Sequence, residues 1–374
     1  MPVSTEIQIV QNKKDLMKFI KFPYQHYKND PNWVPPLIIS QKDLLNRDKH
    51  PFFKHAEIEF FLAYRENKIV GRIAAIVDDN HNQFHNEKTG FFGFFETIND
   101  FDVAEKLLDT AKQWVKERGM TNFRGPANPS LNEDCGTLID AFDSPPVIMM
   151  TYNPPYYPKL IEKYGLKKAM DLYAYFIDGK AKPIPEKLIR VAEAIRKRKR
   201  ITVRPMKMKD FDAEAKKVWY IYNNAWSKNW GFVPMTEDEF EHLAKDLKQA
   251  VVPEVALMAE IDGEPVGFSL ALPDLNKALI HTNGRLLPFG LPKILYYSRK
   301  IDTLRIIIMG VIHKYQKLGI DALFYIDTWK NGAKKGYTKG EMSWILENNK
   351  MMNRAATMLG GEIYKTYRLY EMKT

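Results

Sequence analysis

Apolar and polar positions along this chain predict one set of strands and helices, and then predict it again. Glu6–Gln11 reads as a short strand, and a helical pattern opens at Lys13 with Leu16, Phe19 and Ile20 on one side. Phe22-Pro23-Tyr24 and Pro31-Asn32-Trp33-Val34-Pro35-Pro36 read as loops, because proline restricts itself and the residue before it. Glu57–Arg65 and Lys68–Val77 predict a hairpin around Glu66-Asn67, and Gly90–Thr97 a further strand. Behind Asp100, a good N-cap, Val103, Leu107, Leu108, Ala111, Trp114 and Val115 recur at helical spacing until Gly119. Tyr156–Tyr164 predicts a helix stopped by Gly165, and Lys168–Ile177 a strand.

The second series starts after Gly179–Lys187, whose Pro183 and Pro185 mark a linker. A helix from Glu186 ends in the basic run Arg196–Arg200, for which the plain reading is a solvated helix end. Ile201–Met206 is a strand and Phe211–Trp226 a helix. Asn223–Pro234 (N-N-A-W-S-K-N-W-G-F-V-P) is an aromatic loop. Ala256–Ile261 and Pro265–Leu272 pair across Asp262-Gly263. Leu304–Ile312 is a largely apolar run with β-branched residues and predicts a core strand. A basic, glycine-containing loop (Lys314 to Gly319) follows, then a helix over Ala322–Lys334. Strand Lys339–Leu346, helix Asn349–Leu359 and strand Ile363–Met372 complete the series.

The two series match by register. Y-R-E-N-K-I-V-G-R-I-A-A from Tyr64 aligns with E-I-D-G-E-P-V-G-F-S-L-A from Glu260, placing Gly71 on Gly267 at an offset of 196. Gly165 and Tyr175 align with Gly360 and Tyr370 at an offset of 195. Two anchors this far apart predict two copies of one α/β unit. Between them, Gly119 aligns with Gly336 at 217, so the second copy carries about 21 extra residues within Pro273–Lys300. The first copy recovers that length in the Gly-, Pro-, Asn- and Asp-rich loop from Arg124 to Pro155. Long loops in compact domains are usually functional, so specificity is expected in these two insertions.

Composition narrows the class. A 374-residue chain that is 45% hydrophobic is globular, and a formal charge of +10 favours anionic partners. The single cysteine, Cys135, excludes an internal disulfide and a cysteine-based zinc cluster and fits a reducing compartment. The N-terminal residues show no signal-peptide pattern, and no apolar run is long enough to span a bilayer. The expected location is the cytoplasm, with peripheral attachment to an anionic inner-membrane surface allowed. Strand, short basic turn and helix form an anion site, since free N–H groups and the helix dipole point into the turn.

The element order, with Gln316-Lys317-Leu318-Gly319-Ile320-Asp321 and with Asn349 and Leu359-Gly360, resembles the GNAT acyltransferase superfamily. The hexapeptide resembles its acyl-CoA motif, Gln/Arg-x-x-Gly-x-Gly/Ala. D-P-N-W-V-P-P-L, G-F-F-G-F-F-E, Y-N-P-P-Y-Y and N-W-G-F-V-P are similar to segments of bacterial proteins with two GNAT-like halves. The resemblance implies an α/β (α+β) fold of tandem GNAT-like domains, each a mixed, mostly antiparallel sheet flanked by helices. The expected division is 1–179, a degenerate domain shaping the acceptor cleft; 180–200, linker and basic helix; and 201–374, the acyl-CoA-binding domain.

It further implies acyl-CoA as cosubstrate, no metal, and N–H groups of Lys317, Leu318, Gly319, Ile320 and Asp321 around the pyrophosphate. Met309, Val311, Gln316 and Asn349 complete the expected cofactor contacts. Three departures stand out: Asp321 replaces a small motif residue, Ala356 stands where many members carry a tyrosine, and Gly361 replaces a phenylalanine. The first copy has acidic T-I-N-D-F-D where the phosphates would lie, so at most one cofactor site is expected.

Acyl transfer to an amine needs a proton route and a polarised carbonyl. By topology Glu341, Glu347 and His313 are base candidates, and Tyr364 and Tyr367 can replace the missing tyrosine. Trp226, Trp230 and Phe232 either line an acceptor pocket or belong to the core. Asn132, Glu133 and Asp134 either hold an amine or satisfy their own loop. Three readings follow. The first is a CoA-dependent N-acyltransferase acting on a small-molecule or lipid (sphingoid-type) amine. The second is a Fem-type aminoacyl transferase using charged tRNA, the only nucleic acid considered. The third is a non-catalytic GNAT-fold binding protein. The sequence leaves the oligomeric state open.

Overall fold

The duplication is visible in the hairpins. The computed structural model describes residues 4–197 and 200–374. The first copy comprises β1 (Glu6–Ile9), α1 (Lys13–His26), β2 (Ala56–Arg65), β3 (Lys68–Asp78), β4 (Thr89–Thr97), α2 (Phe101–Glu117), β5 (Asn122–Gly125), α3 (Tyr157–Tyr164) and β6 (Lys167–Asp178). The second comprises α4 (Glu186–Arg196), β7 (Ile201–Pro205), α5 (Phe211–Ala225), α6 (Glu237–Leu247), β8 (Ala256–Ile261) and β9 (Glu264–Pro273). It continues through α7 (Gly290–Ser298), β10 (Thr303–Val311), α8 (Ile320–Lys334), β11 (Lys339–Leu346), α9 (Lys350–Met358) and β12 (Glu362–Lys373). In the β2–β3 pair Ala63 opposes Gly71 and the register slips between Ala63 and Tyr64. In the β8–β9 pair Ala259 opposes Gly267 and the slip falls between Ala259 and Glu260. The same bulge recurs at the offset read from the sequence.

The compact units exchange chain segments. One unit is Met1–Leu172 with Asn276–Arg299 and Lys365–Thr374; the other is Tyr173–Leu275 with Lys300–Tyr364. Within the first, β12 pairs antiparallel with β5, from Tyr370↔Gly125 to Lys373↔Asn122, giving the order β1-β2-β3-β4-β5-β12. Within the second the order is β6-β11-β10-β9-β8-β7. Segments 276–299 and 365–374, expected in the C-terminal domain, thus pack with the first unit. The strand pairing in each unit is mixed. β1–β2, β2–β3, β3–β4, β5–β12, β7–β8, β8–β9 and β9–β10 are antiparallel, whereas β4–β5 and β10–β11 run parallel.

Helices cover these sheets by burying their apolar stripes. Val103, Leu107, Leu108, Ala111 and Val115 of α2 enter the first core, and Leu323 and Ile326 of α8 enter the second.

Helix α1 corrects one expectation. It runs through Pro23 to His26, where Phe22-Pro23-Tyr24 reads as loop. Proline removes the N–H that would bond the carbonyl of Phe19, four residues earlier. Buried Arg72 fills the gap, its Nη1 donating to Phe19 O at 2.8 Å. Helix α6 has no counterpart in the expected elements, although Thr236 and Glu239 form a capping box at its start. Of the basic run, Arg196 ends α4 and pairs with Asp327, and Arg200 pairs with Asp262. Arg198 and Lys199 lie outside the described residues.

Candidate active site

The second unit opens between two parallel strands. β10 pairs with β11 from Thr303↔Lys339 to Ile306↔Met342, and the register goes no further, although both strands continue. At that point β10 carries a bulge: Ile306 opposes Ala271 and Ile308 opposes Leu270, leaving Ile307 without an opposite number. The extra residue shifts the alternation of faces. Leu304, Ile306 and Met309 pack on the α8 side, whereas Ile307, Ile308 and Ile312 pack with α5. Met309 and Val311, the expected carbonyl-polarising positions, lie on this splayed stretch.

The turn into α8 comes next. Lys317 and Gly319 both take positive φ, 69° and 81°, and Gly319 is the N-cap of α8 with no side-chain cap bond. A Cβ at Gly319 would lie 2.3 Å from Ile195 Cδ1, so glycine is required by contact as well as by conformation. The amides of the first turn thus lie behind a bare N-cap with no side-chain acceptor, an arrangement suited to an anion. Gln316 is tied back, its Nε2 donating to Val311 O at 3.1 Å. Leu318 is exposed and Ile320 buried; Asp321 is exposed in the first helical turn. Asn349 caps α9, accepting from Met352 N at 3.2 Å.

On the sheet face away from α8 sits a buried polar chain. Arg305 Nε donates to Ser343 Oγ at 2.9 Å, Ser343 donates to Glu341, and the Tyr364 hydroxyl donates to the other Glu341 oxygen. Glu341 is fully buried and Tyr364 half-buried. Burial pushes the Glu341 carboxyl above the usual carboxylate range, while Arg305, Ser343 and Tyr364 pull it back. Two of the sequence candidates, Glu341 and Tyr364, are thus brought into one hydrogen bond. Glu347 stands half-buried just beyond the end of β11. His313 is half-buried in the turn after β10, and Tyr367 is fully buried in the other unit.

Arg305, Ser343 and Asn353 are missing from the sequence candidates. Asn353 donates to Leu346 O at 3.0 Å and Asn349 O at 2.9 Å and accepts from Tyr175, fixing the end of β11 against α9. The available signal was parity: Glu341 and Ser343 share a strand face, and Arg305 occupies a charged position inside an apolar run.

On the α8 side lies an apolar cavity of about 150 Å³, walled by Leu304, Ile306, Met309, Tyr325, Trp329 and Met342. Two glycines widen it. Gly332 and Gly340 line it without side chains, and a Cβ at Gly332 would come within 3.0 Å of Leu304 Cδ1. A cavity of this size accepts a guest as large as benzene.

The remaining candidates are divided. Trp226 packs its ring over Gly310, where a Cβ would lie 2.3 Å from it. Trp226 and Phe232 each stand 5.4 Å from the Tyr222 ring, in the α5 core. Trp230 is half-buried in the following turn. Asn132 and Asp134 belong to the first unit, where Asp134 pairs with Asn128 in a short ribbon and Asn132 N donates to Ser130 Oγ at 3.1 Å.

In the first unit the equivalent opening is filled by its own chain. Asp100 caps α2, accepting from Asp102 N at 2.9 Å and Val103 N at 3.4 Å. Phe94 N donates to Asn128 Oδ1 at 2.6 Å, and a Cβ at Gly93 would meet Ala127 O at 1.8 Å. Amides left open in the second copy are satisfied internally in the first.

No family model matches the chain. It is 38% identical over 374 residues to bacterial ceramide synthase of Caulobacter vibrioides, covering 97% of this chain and 96% of that protein. The chain belongs to the bacterial ceramide synthase family. Protein YghO of Escherichia coli shares 37% identity with it over 366 residues, covering 96% of this chain and 93% of that protein. Solved structures show the fold of the family. A tandem GNAT protein from the clavulanic acid biosynthesis pathway aligns with a TM-score of 0.58 at 10% identity, covering 99% of this chain and 98% of that one. A GCN5-related N-acetyltransferase from Sphaerobacter thermophilus aligns with a TM-score of 0.53 at 12% identity, covering 99% and 95%. The glucosamine N-acetyltransferase region of a fungal multi-domain β-N-acetylglucosaminidase gives a TM-score of 0.58 at 16% identity; the chain spans 38% of that protein's length. This member of the bacterial ceramide synthase family is accordingly an acyltransferase with two GNAT-fold copies.

Proposed function

We propose that the chain transfers an acyl group from CoA to the amine of a lipid acceptor of sphingoid type, using the second copy alone. The observation that carries this reading is the contrast between the copies. The α8 amides behind Gly319 are uncapped beside a splayed strand pair, while Asp100 and Asn128 consume their counterparts. Lys317 to Asp321 would hold the pyrophosphate, and N–H groups of Met309 to Val311 would polarise the thioester carbonyl. The name of the Caulobacter relative supports the lipid acceptor. The cavity lined by Met309, Trp329 and Met342 supports an acyl chain, of which it would take a stretch of a few methylenes.

The proton route then runs through named atoms. As the amine nitrogen bonds to the carbonyl carbon, its proton passes to the Tyr364 oxygen while Tyr364 gives its own proton to Glu341. The carbon–sulfur bond breaks, the departing thiolate takes a proton from water, and the proton held by Glu341 returns through Tyr364 to the hydroxide left behind. Arg305 and Ser343 oppose the rise that burial imposes on the Glu341 pKa and so favour the carboxylate that receives the proton.

Incubating the purified protein with palmitoyl-CoA and sphinganine tests the reading. Free thiol and amide product should appear in equal amounts, and Gly332→Leu should shift the preference towards short acyl-CoAs. Absence of thiol release with every acyl-CoA, or transfer from charged tRNA instead, overturns it.

A further inference from the structure

The insertion that lengthens the second copy packs in the first unit and exposes an apolar surface. Within ten residues Leu287, Phe289, Leu291, Leu295 and Tyr296 are 74%, 72%, 48%, 60% and 55% exposed. Leu291 and Leu295 lie one helical turn apart on α7 and therefore share a face. Single exposed apolar residues are ordinary, whereas a cluster of five marks an interaction site.

The segment is anchored rather than loose. Ile38 N donates to Gly284 O at 2.9 Å, Asn276 Nδ2 donates to Pro146 O at 3.0 Å, and the His281 and Tyr297 rings stack at 3.7 Å. The hydrogen bond to Gly284 brings the chain from Ile38 alongside, including Ile39, itself 62% exposed.

Charge selects the occupant. From Leu275 to Ile301 there is no aspartate or glutamate, while Lys277, Arg285, Lys293 and Arg299 are exposed around the apolar residues. Exposed Leu and Phe ringed by Lys and Arg without acids are the composition of a helix lying in an anionic membrane interface. A second copy docking by two-fold symmetry would set this basic rim against itself.

We propose that α7 with its leading turn, residues 285–299, is a membrane-docking surface that inserts Leu287, Phe289 and Leu295 among anionic lipid headgroups. This deepens the lipid-amine reading and rests on it only for the reason the protein visits a bilayer.

Flotation of the full chain with phosphatidylcholine vesicles, with and without phosphatidylglycerol, tests the surface. Binding should need phosphatidylglycerol, weaken with salt, and fall by at least about tenfold in the double variant Phe289→Ser, Leu295→Ser. That variant should keep its melting temperature and its thermal shift with CoA. Arg285→Glu with Lys293→Glu should abolish the phosphatidylglycerol requirement together with the binding. Three results overturn the proposal: no binding by the parent, undiminished binding by the variants, or a dimer in sedimentation that the double variant dissolves. Vesicle binding without acyl transfer would sink the enzymatic reading and leave the surface standing.

Discussion

The Tyr364 hydroxyl donates to the buried Glu341 carboxylate, joining two strands, β12 and β11, behind the splay. In the proposed relay the phenol passes the amine's proton inward, so Tyr364→Phe should lower kcat by about 10²–10⁴-fold with little change in the acyl-CoA KM. Glu341→Gln should do the same and also remove the acid limb of the pH–rate profile. In the parent that limb should lie above the ordinary carboxylate range, because burial raises the Glu341 pKa. The stability sign is opposite. A carboxyl with a raised folded pKa contributes stability below its unfolded pKa and loses it as pH rises through the folded value. At neutral pH Glu341→Gln should therefore melt no lower than the parent while being nearly inactive. A lower melting point with intact activity would assign Glu341 a purely structural role.

Asp321 and Gly319 act on the same amides with opposite consequences. Asp321 stands exposed in the first turn of α8, where a carboxylate favours the helix dipole but repels an incoming phosphate. Asp321→Asn should tighten CoA binding about threefold, equivalent to roughly 0.6 kcal/mol, and lower the melting temperature slightly. Gly319→Ala should weaken binding and destabilise by about 1–3 kcal/mol, since its φ is 81° and its Cβ would strike Ile195. Calorimetry with CoA, paired with melts, separates the two.

Much of the fold was legible because the repeat fixes register. Gly71 and Gly267 mark the same bulge, and the apolar, β-branched run from Leu304 onward identified the strand beside the turn. The exchange of β6 and β12 was not legible. Gly165 and Gly360 stand just before, and Tyr175 and Tyr370 within, two similar strands, so either strand suits either sheet edge, and no local residue states the choice. Within the site, Gly319 and Glu341 could be read from motif and topology. Pairing of Glu341 with Tyr364 could not, because the partners belong to separate strands whose adjacency is a tertiary fact. Pro23 misled for a related reason: the donor that permits a helical proline lies at Arg72, far along the chain.

Glu214 gives the second unit a pH-dependent brace. Burial would raise its pKa, yet Arg204, Lys217 and the Lys207 amide hold it down to about 2. Arg204 contacts it through both terminal nitrogens, at 2.6 and 2.9 Å. A depressed carboxylate contributes stability above its unfolded pKa and loses it as pH falls towards the folded value. The melting temperature should therefore drop between about pH 5 and pH 2. Glu214→Gln should cost on the order of 3 kcal/mol at neutral pH, leaving Arg204 with Glu260 alone, and should flatten that acid slope. Urea titrations across the pH range measure both effects.

Arg72 and Pro23 should be coupled through one carbonyl. Phe19 O loses its helical donor to Pro23 and gains Arg72 Nη1, whose guanidinium also stacks 4.8 Å from the Phe19 ring and lies 3.7 Å from Glu96. Arg72→Met should destabilise by about 3–5 kcal/mol, since it leaves both Glu96 and the carbonyl short of a partner. Pro23→Ala restores an N–H four residues from Phe19. In the parent that donor arrives at a carbonyl already bonded, whereas in Arg72→Met it arrives at a vacant one. Pro23→Ala should therefore be worth about 1 kcal/mol more in the Arg72→Met background than in the parent. The loss of Glu96's partner is common to both Arg72→Met proteins and cancels from the cycle. Equal effects of Pro23→Ala in the two backgrounds would mean that Arg72 serves Glu96 alone, and that the helix tolerates its proline for another reason.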